Sequence, residues 1–119
     1  MTFQYPHRDI VWQDGSPIPA ELSDLLLAGL QPGFEIEHGE FQWNAGHSLT
    51  MTYRLSVIRP RQKPRTWEVR FSCPAQEATA VRPQATFAER EWFTRMVRTR
   101  IAEWLNGTPS VIETARLVP

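Results

Sequence analysis

Leu49-Thr50-Met51-Thr52-Tyr53-Arg54-Leu55-Ser56-Val57-Ile58 alternates apolar and polar side chains with a period of two. A strand sends successive side chains to opposite faces, so Leu49, Met51, Tyr53, Leu55 and Val57 share an inward face and Thr50, Thr52, Arg54, Ser56 and Ile58 an outward one. The run from Thr66 to Cys73 repeats the pattern, with Trp67, Val69, Phe71 and Cys73 on one face and Thr66, Glu68, Arg70 and Ser72 on the other. Upstream, Phe34-Glu35-Ile36-Glu37-His38 alternates on even numbers, whereas Phe41 and Trp43 resume the apolar face on odd ones. A change of parity within one strand needs an extra residue, which predicts a bulge near Gly39. Asn44-Ala45-Gly46 offers the left-handed position of a short hairpin loop. These segments predict a three-stranded antiparallel meander over about 34–43, 48–59 and 66–73.

Helices are expected on both sides of the meander in sequence and on one face of it in space, an α+β arrangement. Ser16 is the expected cap of a helix over about 17–31, with Pro17 and Pro19 in a first turn whose amides lack intrahelical acceptors. Its apolar stripe is Leu22, Leu25, Leu26 and Leu30, and Pro32-Gly33 stops it. Thr86 and Glu89 have capping-box spacing, and Phe93, Met96, Val97, Ile101, Trp104 and Leu105 follow the helical period to Asn106-Gly107. A second helix is therefore expected over about 86–106. A short edge strand is expected near 10–12, a short C-terminal helix near 109–117, and a polar, proline-punctuated loop from Pro74 to Ala85.

The chain's 119 residues suit one globular domain, 1–119, and five tryptophans with six phenylalanines imply a packed core. The first nine residues contain no apolar signal region, and no run approaches the roughly 18 apolar residues of a membrane span, so a soluble, cytoplasmic protein is expected. Cys73 is the one cysteine and has no disulfide partner within the chain. A formal net charge of zero conceals a polarity. Up to Tyr53 seven acids face Arg8 alone, and from Arg54 onward twelve bases face six acids. Arg54, Arg59, Arg61, Lys63 and Arg65 follow one another without an intervening acid. Such asymmetry points to an anionic partner unless the two halves neutralise each other in space.

The loop Arg59-Pro60-Arg61-Gln62-Lys63-Pro64-Arg65 is the leading candidate contact surface. Its four cations exceed what a turn requires, and its two prolines limit the freedom lost on docking. Arg54 on the outward face and Arg90 and Arg98 on the second helix complete the candidate set. Arg95 and Arg100 add charge to that helix, with Glu91 four residues before Arg95 in pairing position. The outward sheet face carries no aromatics, which argues against a base-stacking RNA platform. Helix, three strands, helix is also the element order of double-stranded-RNA-binding domains. Those domains open their second helix on a lysine cluster, whereas Ala85-Thr86-Phe87-Ala88-Glu89-Arg90-Glu91 carries two acids, and the chain is not assigned there.

Catalytic chemistry has little foundation in the sequence. Cys73 falls on the inward parity of its strand, and no histidine lies at a spacing that would support a nucleophile. His7, His38 and His47 are the three imidazoles; His38 and His47 could meet across the first hairpin near Glu37 or Glu40, a minimal and incomplete metal set. No cofactor loop is present. The expectation is a small non-catalytic interaction protein, an accessory, inhibitor or assembly factor of a phage or bacterial system, docking a charged surface on a protein partner or on itself. The alternative is a nucleic-acid binder that uses residues 59–65 against phosphates.

Overall fold

The computed structural model describes residues 9–28 and 31–119. Five strands form one sheet in sequence order: β1 Asp9–Trp12, β2 Phe34–Asn44, β3 Ser48–Val57, β4 Arg65–Pro74 and β5 Thr114–Leu117. The expected meander is its antiparallel centre, β2-β3-β4, but a three-stranded sheet is too small a description. The edge strand expected near 10–12 is present as β1 and runs parallel to β2, reached through helix α1, Ala20–Leu27. At the other edge the segment expected to be a helix over 109–117 is instead β5, antiparallel to β4. Its helical signal was three apolar residues. The outer edge of β4 offers backbone partners in a row, and Glu113 N–H donates to Arg70 O and Val118 N–H to Thr66 O just beyond each end of β5.

The parity change within β2 is real, and its irregularity lies between Ile36 and His38, just before Gly39. From there His38 turns outward, opposite Arg54, and Gly39 turns inward, opposite Tyr53. A Cβ on Gly39 would sit 3.0 Å from the Tyr53 ring and 3.3 Å from Ile10, so only a hydrogen leaves room for that ring in the core. Phe41 then packs edge-to-face on Tyr53 and on Phe93. The inward sets of β3 and β4 are buried as their period requires, except that Trp67 is only partly covered.

Helix α2, Phe87–Leu105, carries the expected capping box, with Thr86 Oγ1 accepting from Glu89 N–H and Glu89 Oε1 from Thr86 N–H. Those bonds hold the Glu89 carboxyl below its ordinary pKa, the Thr86 backbone N–H contributing most. Phe93, Val97 and Ile101 close over the sheet, and the molecule is two layers deep, 25 Å along its shortest axis. Helix α1 is shorter than the 17–31 span. Ser16 does not cap it: its N–H and Oγ both bond Asp14 Oδ1, Pro17 bridges to Val11 in extended form, and Pro19 takes the cap position. Leu22 and Leu26 are buried, Leu25 is half-buried, and Leu30 lies outside the described residues, as does His7. The loop from Pro74 to Ala85 is less polar in space than in sequence, because two short 3-10 turns bury Ala78, Ala80 and Val81 against α2.

Candidate interaction surface

Strands β3 and β4 are joined by residues 58–64, all exposed. Gln62 N–H donates to Arg59 O at 3.2 Å, closing a turn with Pro60 and Arg61 at its centre. Pro60 suits the first central position, but the second holds Arg61 at φ +62°, where glycine or asparagine fits with less strain. Arg61, Lys63 and Arg65 make no ion pair or hydrogen bond through their side chains among the described residues, and Arg54 is equally free on the sheet face. Arg59 reaches back, its Nη2 3.5 Å from Leu105 O, where a cation is favoured beside the unpaired carbonyls at the C-terminus of α2.

A cleft of about 390 Å³ opens between this loop and the end of α2. Arg59, Gln62, Lys63 and Arg65 form its wall, and Val57, Trp67, Trp104 and Leu105 its floor. Trp67 and Trp104 stand edge-to-face, ring centroids 5.4 Å apart and planes at 70°. The sequence reading placed both indoles in the core. They lie on its margin, partly buried and packed against the core cluster. Leu105 in turn rests on Gly33, at φ +93°, where an added Cβ would lie 2.7 Å from Leu105 Cδ2.

The remaining cations of the candidate set are not brought to this site. Arg90 is 8% exposed; it donates to the carbonyls of Ala80, Arg82 and Pro83 and to Glu21 Oε1 at 3.1 Å, fastening the loop and α1 to α2. Arg98 caps α1, its Nη2 2.6 Å from Leu25 O and 2.7 Å from Ala28 O, and burial lowers its pKa. Arg95 pairs with Glu91 as its spacing predicts, and Arg100 with Glu77. The helix surface is therefore less cationic than its composition. A signal for Arg90 was present: with Phe93, Thr94, Val97 and Ile101 it sits at helical spacing on the buried stripe.

On the open face of the sheet one row of cross-strand neighbours crosses all five strands: Asp9, His38, Arg54, Glu68 and Arg116. His38 Nδ1 lies 2.9 Å from Asp9 Oδ1, and Arg116 Nη2 3.1 Å from Glu68 Oε1. Beside this row Arg70 donates to Thr52, and Thr50 shares hydrogen bonds with Ser72 and Asn44. This face has mixed sign. His38 and His47 do not meet: His38 is opposite Arg54, and His47 occupies the turn between β2 and β3. Among the described residues no three His, Cys, Asp or Glu side chains converge on a point where a metal would sit. Among the described residues, Asp9 is the side-chain hydrogen-bond partner of His38, and no hydroxyl or thiol is bonded to that imidazole. Cys73 is buried, and desolvation foremost, with Glu77 adding, pushes its thiol up from 9.0 to about 11. No helix of the described residues is long and apolar enough to cross a membrane. Comparisons with protein-family models, with curated proteins and with solved structures find no match.

Proposed function

We propose that this chain is a small non-catalytic interaction protein that docks an anionic region of a protein partner through the β3–β4 loop. One observation carries the reading: the loop's cations line an apolar-floored cleft and Arg61, Lys63 and Arg65 are uncommitted, while Arg90 and Arg98 are engaged in the interior and Arg95 and Arg100 are paired with Glu91 and Glu77. Arg90 and Arg98 are held by carbonyls in the interior and cannot reach a partner, so the loop is the densest group of exposed cations in the basic half, with Arg54 beside it on the sheet.

A protein is favoured over a nucleic acid because the cationic area is focal. A polyanion lying along the sheet from the loop would cross rows of mixed sign, Arg54 and Arg116 with Glu68 and Asp9 in one and Arg70 with Glu40 in the next. Uniform phosphate charge finds no continuous cationic track there, whereas a protein surface of mixed sign can match it. The biological role remains that of an accessory, inhibitor or assembly factor, with a second copy of the chain as one form the partner can take.

The test compares the wild-type protein with the variant Arg59→Ala/Arg61→Ala/Lys63→Ala/Arg65→Ala. A purified partner should lose at least about 100-fold in affinity, with slower association and a nearly unchanged unfolding midpoint, since all four residues are exposed and only Arg59 bonds the rest of the fold, at the end of α2. Sedimentation of both proteins at two salt concentrations reveals whether the partner is a second copy. Retention of full affinity by the folded variant would refute the proposal. Tight binding to generic DNA or RNA, with a log–log salt slope that falls by up to about 3.6 in the variant, would transfer the loop to phosphate recognition.

A further inference from the structure

The cleft behind the basic loop has a chemistry that the loop's charge does not explain. Its floor is apolar, Val57, Trp67, Trp104 and Leu105, and every charged lining group stands on the loop side. We infer that it is an anchor pocket for one large apolar side chain, best an aromatic one, carried within an acidic segment of the partner. This inference rests on the docking function proposed above and names the segment that would be recognised.

Three features support it. The volume, about 390 Å³, lies in the range of small-ligand pockets, roughly 300–1,000 Å³, and so admits one large side chain with its neighbouring backbone. The Trp67–Trp104 pair is edge-to-face and incompletely covered, so a third ring can complete an aromatic cluster of the kind that Trp12, Phe41 and Tyr53 already form inside the domain. Cations at the rim and indoles at the floor reproduce the layout of a binding hot spot, in which a buried anchor is ringed by polar contacts. Charge complementarity then requires carboxylates flanking the anchor: Lys63 and Arg65 are free to receive them, and Arg59 is held at the helix end with donors to spare. The loop is shaped before the partner arrives, since Pro60 and the left-handed Arg61 fix the turn that carries the rim.

Isothermal titration with three probes decides the point: a short peptide of Asp and Glu around one central Phe, the same peptide with Ala at the centre, and an oligodeoxythymidine. The Phe peptide should bind about tenfold or more tightly than the Ala peptide and shift tryptophan emission. Gln62→Phe, which fills the cleft from an exposed position and leaves the core alone, should erase the preference while keeping the weaker, charge-driven affinity. Trp104→Ala should do the same where it folds. Equal binding of the two peptides, lost in the quadruple alanine variant, would overturn the anchor pocket and leave the docking function standing. Loop-dependent binding of the oligodeoxythymidine alone would overturn both. Failure of all three probes at millimolar concentration would also overturn the pocket, because a preformed floor and rim must register a matched side chain there.

Discussion

Strand β3 ends in two loops built to different standards. Between β2 and β3 the chain reverses within residues 45–47: His47 N–H donates to Asn44 O, Ala45 and Gly46 take φ +51° and +76°, and Asn44 Nδ2 ties the turn to Ser48 and Thr50. Positive φ at both central residues matches the twist of the flanking strands, which makes this a low-cost hairpin closure. Between β3 and β4 the chain uses residues 58–64, gathers four cations there with Arg65, and, like the first loop at Ala45, places one non-glycine residue at positive φ, Arg61 at +62°. Both loops solve the same topological problem, so the surplus at the second is not needed for the fold. Sites of ligand contact are where such surplus accumulates.

The strands themselves should be equally valuable at the two ends. Leu49 lies next to the tight turn and Leu55 near the basic loop, both fully buried. Leu49→Ala and Leu55→Ala should each cost about 2 to 5 kcal/mol in denaturant unfolding, as should Ile101→Ala above them. A loss under about 1 kcal/mol at Leu55 alone would show that the core thins toward the basic loop and would weaken the contrast.

Cys73 reports on the end with the tight turn, since it faces Leu49 in the β3–β4 register. Its thiol titrates near 11 in the fold against an ordinary 9.0. The unfolded chain therefore releases this proton first, and stability should fall as pH rises from about 9 to about 11, by roughly 2 to 3 kcal/mol from this group. The Tyr53 hydroxyl, fully buried and likewise raised, acts in the same direction. Cys73→Ala should flatten the alkaline limb of a stability–pH curve, and a thiol reagent at neutral pH should label the native protein far more slowly than a peptide thiol.

The smallest effects give the most direct test of the comparison. Gly46→Ala places a Cβ in open space at positive φ and should destabilise by about 1 kcal/mol through backbone strain alone. Arg61→Gly relieves the same kind of strain and should stabilise by a few tenths to about 1 kcal/mol while weakening the partner. Opposite signs in thermal unfolding would establish that one loop is optimised for the fold and the other is not; equal signs would remove the distinction.

Much of the sheet could be read in the sequence because one face of each central strand is buried, and burial imposes the period of two that exposes it. The bulge was visible for the same reason, as was α2 through its capping box. Strand β5 was not, since all four of its residues are exposed and no alternation is demanded of Thr114-Ala115-Arg116-Leu117. Nor does β1 announce that it is parallel. At the candidate site the four cations were plain in the sequence. The floor was hidden because the period assigns Trp67 and Trp104 to the inward side without saying how fully they are covered there. Arg90 and Arg98 were read by charge, although the carbonyls they satisfy belong to segments remote in sequence.

The parallel pairing of β1 with β2 has a consequence for the order of assembly. Asp9 meets His38 across 29 residues, whereas β2, β3 and β4 can zip outward from adjacent turns. Loop closure favours the short-range hairpins, so the central strands should condense first and β1-α1 should join a surface that already exists. The late unit is then held by the parallel pairing of β1, by the buried Ile10, Ile18, Leu22 and Leu26, and by two guanidiniums, Arg98 on the end of α1 and Arg90 on Glu21. Interactions formed after the rate-limiting step act on escape from the native state more than on arrival. These arginines should then act as latches on the N-terminal unit, so that Arg98→Ala speeds unfolding more than it slows folding.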